Sequence, residues 1–321
     1  MYALKQQPED FQVQEITHVL PKEEGSFALF WMKKKYLNTE DALQKVCKTL
    51  QIPRKYLGSA GNKDRTAVTQ QLISIPTVLK ERLEKISLFN LTFSFYGYGT
   101  GPISMGDLLG NQFSITLRAL NPWEEPKKIS KMLNYFGEQR FSTHNADIGK
   151  LLIQKKFKLA MALIQESKTP LQDKIEHYLK RQKQDYVGAL RIVPKKILKL
   201  YVHSYQAKLF NEMAQYCIEH KVRVETLPLI GFATEFKGKV GELAEKKLKE
   251  EEITPRDFII RAIGELSSEG GVRTLYADVS DLQIGKMEND ELNLHKKKVL
   301  IEFRLPKGSY ATEAVRQMMQ S

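Results

Sequence analysis

Thirteen residues in the first quarter of the chain gather groups that could do chemistry: Gly58-Ser59-Ala60-Gly61-Asn62-Lys63-Asp64-Arg65-Thr66-Ala67-Val68-Thr69-Gln70. A carboxylate, Asp64, stands between two cations on a glycine-bearing connection at the mouth of a strand. Flanking cations favour the charged form of an acid, and glycine lets backbone pass close to a ligand. An ionised Asp in a partly dry pocket can serve as a nucleophile or as a base. The same spacing also fits an Asp-containing turn with surface ion pairs. Spacing alone leaves both open.

Other constellations lead nowhere. The run GYGTGPISMG at 97–106 is glycine-rich, but it lacks the following helix and the distal acid of a dinucleotide fingerprint. The 58–64 segment has no Lys-Ser/Thr pair after its second glycine, as a phosphate loop requires. His18, His144, His177, His203, His220 and His295 form no metal spacing, and Cys217 with His220 makes a pair of ligands without partners. No G-x-S-x-G elbow occurs. Metal, nucleotide-cofactor and serine-triad chemistry are therefore disfavoured, and no cofactor is expected.

The elements around the loop can be read from periodicity. Residues 26–33, SFALFWMK, form a continuous apolar run of strand length, as in a buried strand. Asn38 can cap a helix that carries Leu43, Val46 and Leu50 and is stopped by Pro53. Residues 67–75 read as a strand ended by Pro76, and Val78, Leu79, Leu83 and Ile86 mark another helix. Two alternating strands follow, one with Leu91, Phe93 and Phe95, the next with Phe113, Ile115 and Leu117. Ile129, Met132, Leu133 and Phe136 predict a helical stripe closed by Gly137.

From 147 to about 265 the pattern is nearly all helical, carried by 147–166, 170–183 and 195–220, with shorter pieces at 241–251 and 255–263. Strand character returns at 272–279 and 298–305, and a helix at 310–319 closes the chain. Strands at both ends with helices between predict an α+β fold interrupted by a helical insertion. The expected boundaries are 1–148 with 273–321 for the sheet domain and 149–272 for the insertion. A length of 321 residues also exceeds what one core usually holds.

Composition narrows the partners. Fifty Lys and Arg against 38 Asp and Glu give a net charge of +12 and a pI near 9.4. Thirteen basic and four acidic residues lie between Lys150 and Lys199. That balance favours a polyanion, or a well-solvated lysine-rich surface. Nucleic acid is favoured over membrane, because the stretch lacks an apolar face with Trp or Phe anchors. No apolar run approaches the ~18 residues that cross a bilayer, and MYALKQQPEDF carries no export signature. Cys47 and Cys217 suit a reducing compartment. A cytoplasmic protein, acting as a monomer, is expected.

Four blocks in order resemble the D-type family of transfer-RNA pseudouridine synthases. They are Ala3-Leu4-Lys5-Gln6-Gln7-Pro8-Glu9-Asp10-Phe11-Gln12-Val13-Gln14-Glu15, then Ala60 to Gln70, then Asn134-Tyr135-Phe136-Gly137-Glu138-Gln139-Arg140-Phe141, and the tail Leu305-Pro306-Lys307-Gly308-Ser309-Tyr310-Ala311-Thr312. The resemblance implies a pseudouridine-synthase catalytic domain, a central, mostly antiparallel sheet flanked by helices, carrying the family's largely helical insertion domain. It implies an isomerase that turns a uridine of tRNA, position 13 by the family's naming, into pseudouridine without a metal or organic cofactor. Asp64 falls on the catalytic aspartate and Lys5 on the base that pairs with it. Asn134 and Phe136 fall on the uridine pocket, with Phe11 beside them, and Lys63 and Arg140 are expected to contact substrate.

The chain departs from the family pattern at Ser142, where Gly is usual after Phe141, at Thr100–Asp107, which lacks a basic run, and at Gln317. Two alternatives share the scaffold: a catalytically idle RNA-binding or tRNA-folding protein, and the same isomerisation on another RNA.

Overall fold

Phe11–Ile16 forms a strand whose burial alternates, with Phe11, Val13 and Glu15 buried and Gln12 and Gln14 facing solvent. In the computed structural model, which describes residues 2–166 and 171–320, this is β1. The chain divides into two compact units, Met1–Met132 with Ala277–Ser321, and Leu133–Tyr276.

In the first unit β1 is followed by β2 (Phe27–Lys34), α1 (Thr39–Leu50), β3 (Gly58–Ser59), β4 (Val68–Pro76), α2 (Lys80–Glu84), β5 (Leu91–Gly99) and β6 (Gly110–Leu120). β2 is apolar from Phe27 to Met32 because both its faces are covered. Ala28, Phe30 and Met32 pack in a core with Leu43, Val46 and Leu50 of α1, while Leu29 packs with Ala60, Leu72 and Ile103. Asn38 caps α1 by accepting from the Asp41 amide at 2.8 Å. The helix ends at Leu50 on Gln51 in the left-handed conformation (φ 54°), before Pro53 is reached. The helix expected from Val78 to Ile86 is shorter: a 3-10 turn at Thr77–Leu79 leads into α2, Leu83 is buried and Val78 is exposed.

The helical stripe expected at 129–137 does not exist; the chain there is extended and contains β7 (Lys131–Leu133). Its apolar residues serve two different cores. Met132 is buried with Ile115 and Val315 in the first unit, whereas Leu133 and Phe136 pack on the core of the second. The i, i+3, i+4 spacing is coincidence, produced where the chain passes from one unit to the other.

The second unit holds α3 (Asn145–Ile153), α4 (Phe157–Glu166), α5 (Gln172–Arg181), α6 (Tyr186–Leu190), α7 (Lys195–Glu219), β8 (Thr226–Leu229), α8 (Gly238–Glu250) and β9 (Gly271–Thr274). Its core runs along α7, where Val202, Tyr205, Leu209, Phe210 and Met213 meet Leu152, Met161, Leu190 and Phe258. The segment read as one helix at 147–166 is two, broken at Lys155 (φ 58°). The piece at 255–263 is a pair of 3-10 turns. Pro170, at the start of the segment read at 170–183, lies outside the described residues. β8 and β9 pair antiparallel, a small sheet within the helical stretch.

The chain returns through β10 (Tyr276–Asp278), and β11 (Ser280–Ile284), β12 (Glu288–Asn289), β13 (Lys297–Pro306) and α9 (Ala311–Gln320) complete the first unit. The sheet order is β11-β13-β6-β1-β4-β2-β5, with β12 on β13 and β3 on β4. Only β1 and β4 run parallel among these pairs; the others are antiparallel. The fold is α+β with a mixed, mostly antiparallel sheet. Among the described residues no helix is long and apolar enough to cross a membrane.

Candidate active site

Residues 61–64 have no secondary structure of their own, so their backbone groups need partners from side chains. Three buried residues supply them. Gln71 donates its Nε2 to the Gly61 carbonyl at 3.0 Å, and Thr39 Oγ1 accepts from the Lys63 amide at 2.8 Å while donating to Gln71 Oε1 at 2.7 Å. Lys34 donates its ammonium to the carbonyls of Leu37 (2.6 Å), Lys63 (3.2 Å) and Asp64 (2.8 Å). The alternation of β2 places Lys34 on the face of Phe30 and Met32, and it is 1% exposed. Burial pushes its ammonium down to about 8, against the attraction of Asp64 and with the repulsion of Lys63.

Asp64 itself is partly exposed, and its Oδ2 accepts from Lys5 Nζ at 2.5 Å. Lys5 comes from the N-terminal segment, where Ala3 exchanges backbone hydrogen bonds with Arg118 of β6. Its own backbone is left-handed (φ 58°), a conformation costing of order 1–3 kcal/mol for a non-glycine residue. The ammonium lies 4.2 Å from the ring centroid of Phe11, which is buried and meets Phe113 edge-on. Lys5, Phe11 and Asp64 are thus brought together.

Lys63 is not directed to the same place. Its side chain is buried, its Nζ 3.1 Å from Glu15 Oε2 and donating to Asn111 Oδ1 at 2.5 Å. Burial pulls this ammonium down and pushes the Glu15 carboxyl up, each opposed by the pair's own attraction. The two loop glycines differ as well. A Cβ at Gly58 would lie 2.3 Å from the Ile103 carbonyl oxygen, so this glycine permits a close crossing of chain, whereas Gly61 borders open space.

In the second unit Asn134 and Phe136 are gathered around a residue that the motifs do not mark. Arg273 of β9 donates to the Asn134 carbonyl oxygen (2.9 Å) and to its Oδ1 (2.6 Å), and its guanidinium lies 4.2 Å from the Phe136 ring centroid. Asn134 Nδ2 donates to Thr274 Oγ1 at 3.1 Å. Phe136 is held by Asn211, which accepts from its amide and donates to its carbonyl, each at 2.9 Å, and by the edge of Phe210. The Arg140 guanidinium is 5.8 Å from the same ring.

Sequence reading missed Lys34, Thr39, Gln71, Arg273 and one further cluster. Arg118, 3% exposed, donates to Asp10 (2.8 Å), Asp290 (2.8 Å) and Glu291 (3.0 Å), tying the turn before Phe11 to the 290 loop. The position of Lys34 was legible, since it shares the parity of Ala28, Phe30 and Met32. The basic stretch is also less bare than its count suggests: Lys150, Lys155 and Lys195 pair with Glu251, Asp257 and Glu265.

The tRNA pseudouridine synthase D (TruD) model matches residues 2–176, 166–226 and 212–318. The chain is 28% identical to the tRNA pseudouridine synthase D of Aquifex aeolicus, over 99% of this chain and 98% of that one. It is 30% identical to a probable tRNA pseudouridine synthase D of Methanosarcina acetivorans, over 99% and 92%. The crystal structure of a TruD candidate from Methanosarcina mazei matches with a TM-score of 0.73 at 26% identity, covering 99% of this chain and 93% of that one. Fold and matches together define an enzyme, and an isomerase. The chain belongs to the tRNA pseudouridine synthase D family.

Proposed function

We propose that this chain isomerises a uridine of tRNA, at position 13, to pseudouridine, with Asp64 as the acting carboxylate. The observation that carries this reading is the Lys5–Asp64 pair on a loop held by buried side chains. The reaction breaks N1–C1′, forms C5–C1′, and exchanges the proton on C5 for one on N1. An ionised Asp64 starts it, either by attacking C1′ or by taking the C2′ proton, and Lys5 holds it ionised. Asn134 and Phe136 engage the uracil, Phe136 by stacking, which returns ~1–3 kcal/mol against the cost of extruding a base. Arg140 contributes substrate contact. The burial of Lys63 with Glu15 supports a structural role for that residue.

The Met1–Met132 and Ala277–Ser321 unit is read as the catalytic domain, and Leu133–Tyr276 as the insertion domain. Lysines of 150–199 add phosphate contacts whose strength falls with salt. Incubating the protein with unmodified tRNA and mapping pseudouridine by carbodiimide labelling should give one modified site at position 13. Product at a different position alone would replace the site assignment, and no product in any tRNA would end the reading.

A further inference from the structure

Of all the side chains outside the proposed reacting groups, Lys34 is the least expected where it is. A lysine this buried normally neutralises a carboxylate at contact distance, but its three N–H groups go to three backbone carbonyls, those of Leu37, Lys63 and Asp64. Two of those carbonyls belong to Asp64 and the residue before it, so the ammonium fixes the peptide from which the reacting carboxylate projects. Thr39 holds the Lys63 amide and Gln71 the Gly61 carbonyl. Lys5 meets the carboxylate itself, and Lys34 meets the backbone of the same residue.

We propose that Lys34 is a positioning residue for Asp64, clamping the 63–64 backbone so that the carboxylate is held in its working direction, and that loss of its ammonium releases the clamp. This inference rests on the assignment of Asp64 in the preceding subsection. A neutral amine has two N–H groups and a lone pair; facing three carbonyl oxygens, it leaves one unmet and sets a lone pair against it. A carboxylate displaced by an ångström loses turnover steeply, on the order of 10²-fold.

The groups that face this ammonium are few. The loop brings Asp64, which favours its charge, and Lys63, which opposes it. Lys5 acts through Asp64, while the facing residues of α1 and β4, Thr39 and Gln71, carry no charge. On its own strand Lys33 points to solvent, and the adjacent Lys35 is engaged with Glu9. Burial dominates and holds the ammonium down at about 8. Turnover should therefore fall as pH rises through that value.

The test is single-turnover pseudouridine formation on tRNA from pH 6.5 to 9 for the wild type, Lys34→Gln, Lys34→Met and Asp64→Asn, with tRNA affinity measured alongside. Both Lys34 variants should be slowed about 10- to 100-fold with tRNA affinity within about twofold, and both should lack the alkaline fall of the wild type. A purely structural lysine would lower the folded fraction but leave the rate per folded molecule and the pH profile unchanged, and that result overturns the inference. If neither variant folds, the wild type decides: a fall centred near pH 8 supports the clamp, and a flat profile overturns it. Full activity in Asp64→Asn would remove the underlying assignment and this inference with it. An inactive Asp64→Asn beside unaffected Lys34 variants removes this inference alone.

Discussion

Lys5 and Asp64 lie 59 residues apart in the chain, and the Lys5 ammonium stands 2.5 Å from the Asp64 carboxylate. The contact joins the N-terminal segment to the β3–β4 connection, and the Lys5 backbone itself is left-handed (φ 58°). A charge-assisted hydrogen bond of this kind contributes ~1.5–3 kcal/mol.

Lys5→Met should therefore slow pseudouridine formation by about 10- to 100-fold. Without the cation the carboxylate is easier to protonate, so the acid limb of the rate should move to higher pH. Rate measurements from about pH 3 to 6, across the ordinary aspartate range, check it on both proteins. An unmoved limb would mean that the lysine does not set the charge of Asp64.

Arg273 reaches two oxygens of Asn134 and the face of Phe136 at once. A lysine cannot reproduce that planar fork. Arg273→Lys should raise KM for tRNA by roughly tenfold, about 1.4 kcal/mol, with a smaller change in kcat. Steady-state kinetics with a melting curve on the same sample would separate this from instability.

Asp290 has its carboxyl held down at about 2. Burial acts against this, and hydrogen bonds from the Ala119 and Leu292 amides, Asn293 and Arg118 outweigh it. A depressed carboxylate contributes stability that is fully present above its ordinary value of 3.8 and is lost as pH falls through about 2. That contribution is about 2 kcal/mol. Urea unfolding between pH 5 and 2 should show stability falling across this window, and Asp290→Asn should be less stable at pH 7 with a shallower acid slope.

Ser142 stands where the family motif usually has glycine, and its φ is 46°. A side chain is strained there, although glycine costs chain entropy on folding. Ser142→Gly should stabilise the protein by up to about 1 kcal/mol, read as a higher urea midpoint at unchanged slope. A lower midpoint would show that the serine makes a compensating interaction.

Much of the sheet was legible because its pattern has a single cause. β2 is apolar from Phe27 to Met32 since both faces are covered, whereas β1 was not read as a strand, because the buried Glu15 interrupts its apolar alternation. The 129–137 segment misled because Met132 and Phe136 serve separate cores, a fact that no local period contains. The loop drew attention to Asp64, and the resemblance to the family added Lys5, Asn134 and Phe136, but neither could show what holds them. Lys34 faces the Asp64 backbone across 30 residues, and Arg273 reaches Asn134 across 139. Such partners become neighbours only through tertiary pairing. The Lys63–Glu15 pair was hidden for the same reason, since a lysine beside a reactive aspartate looks the same in sequence whether it points outward or inward.

The measurement that bears most directly on the role of Asp64 is tritium release from tRNA labelled at uracil C5, under single-turnover conditions with saturating enzyme. The wild type should release label stoichiometrically from one uridine, and Asp64→Asn should release none while binding the same tRNA with similar affinity. Release by Asp64→Asn at the wild-type rate would contradict the assignment of this carboxylate to the chemistry.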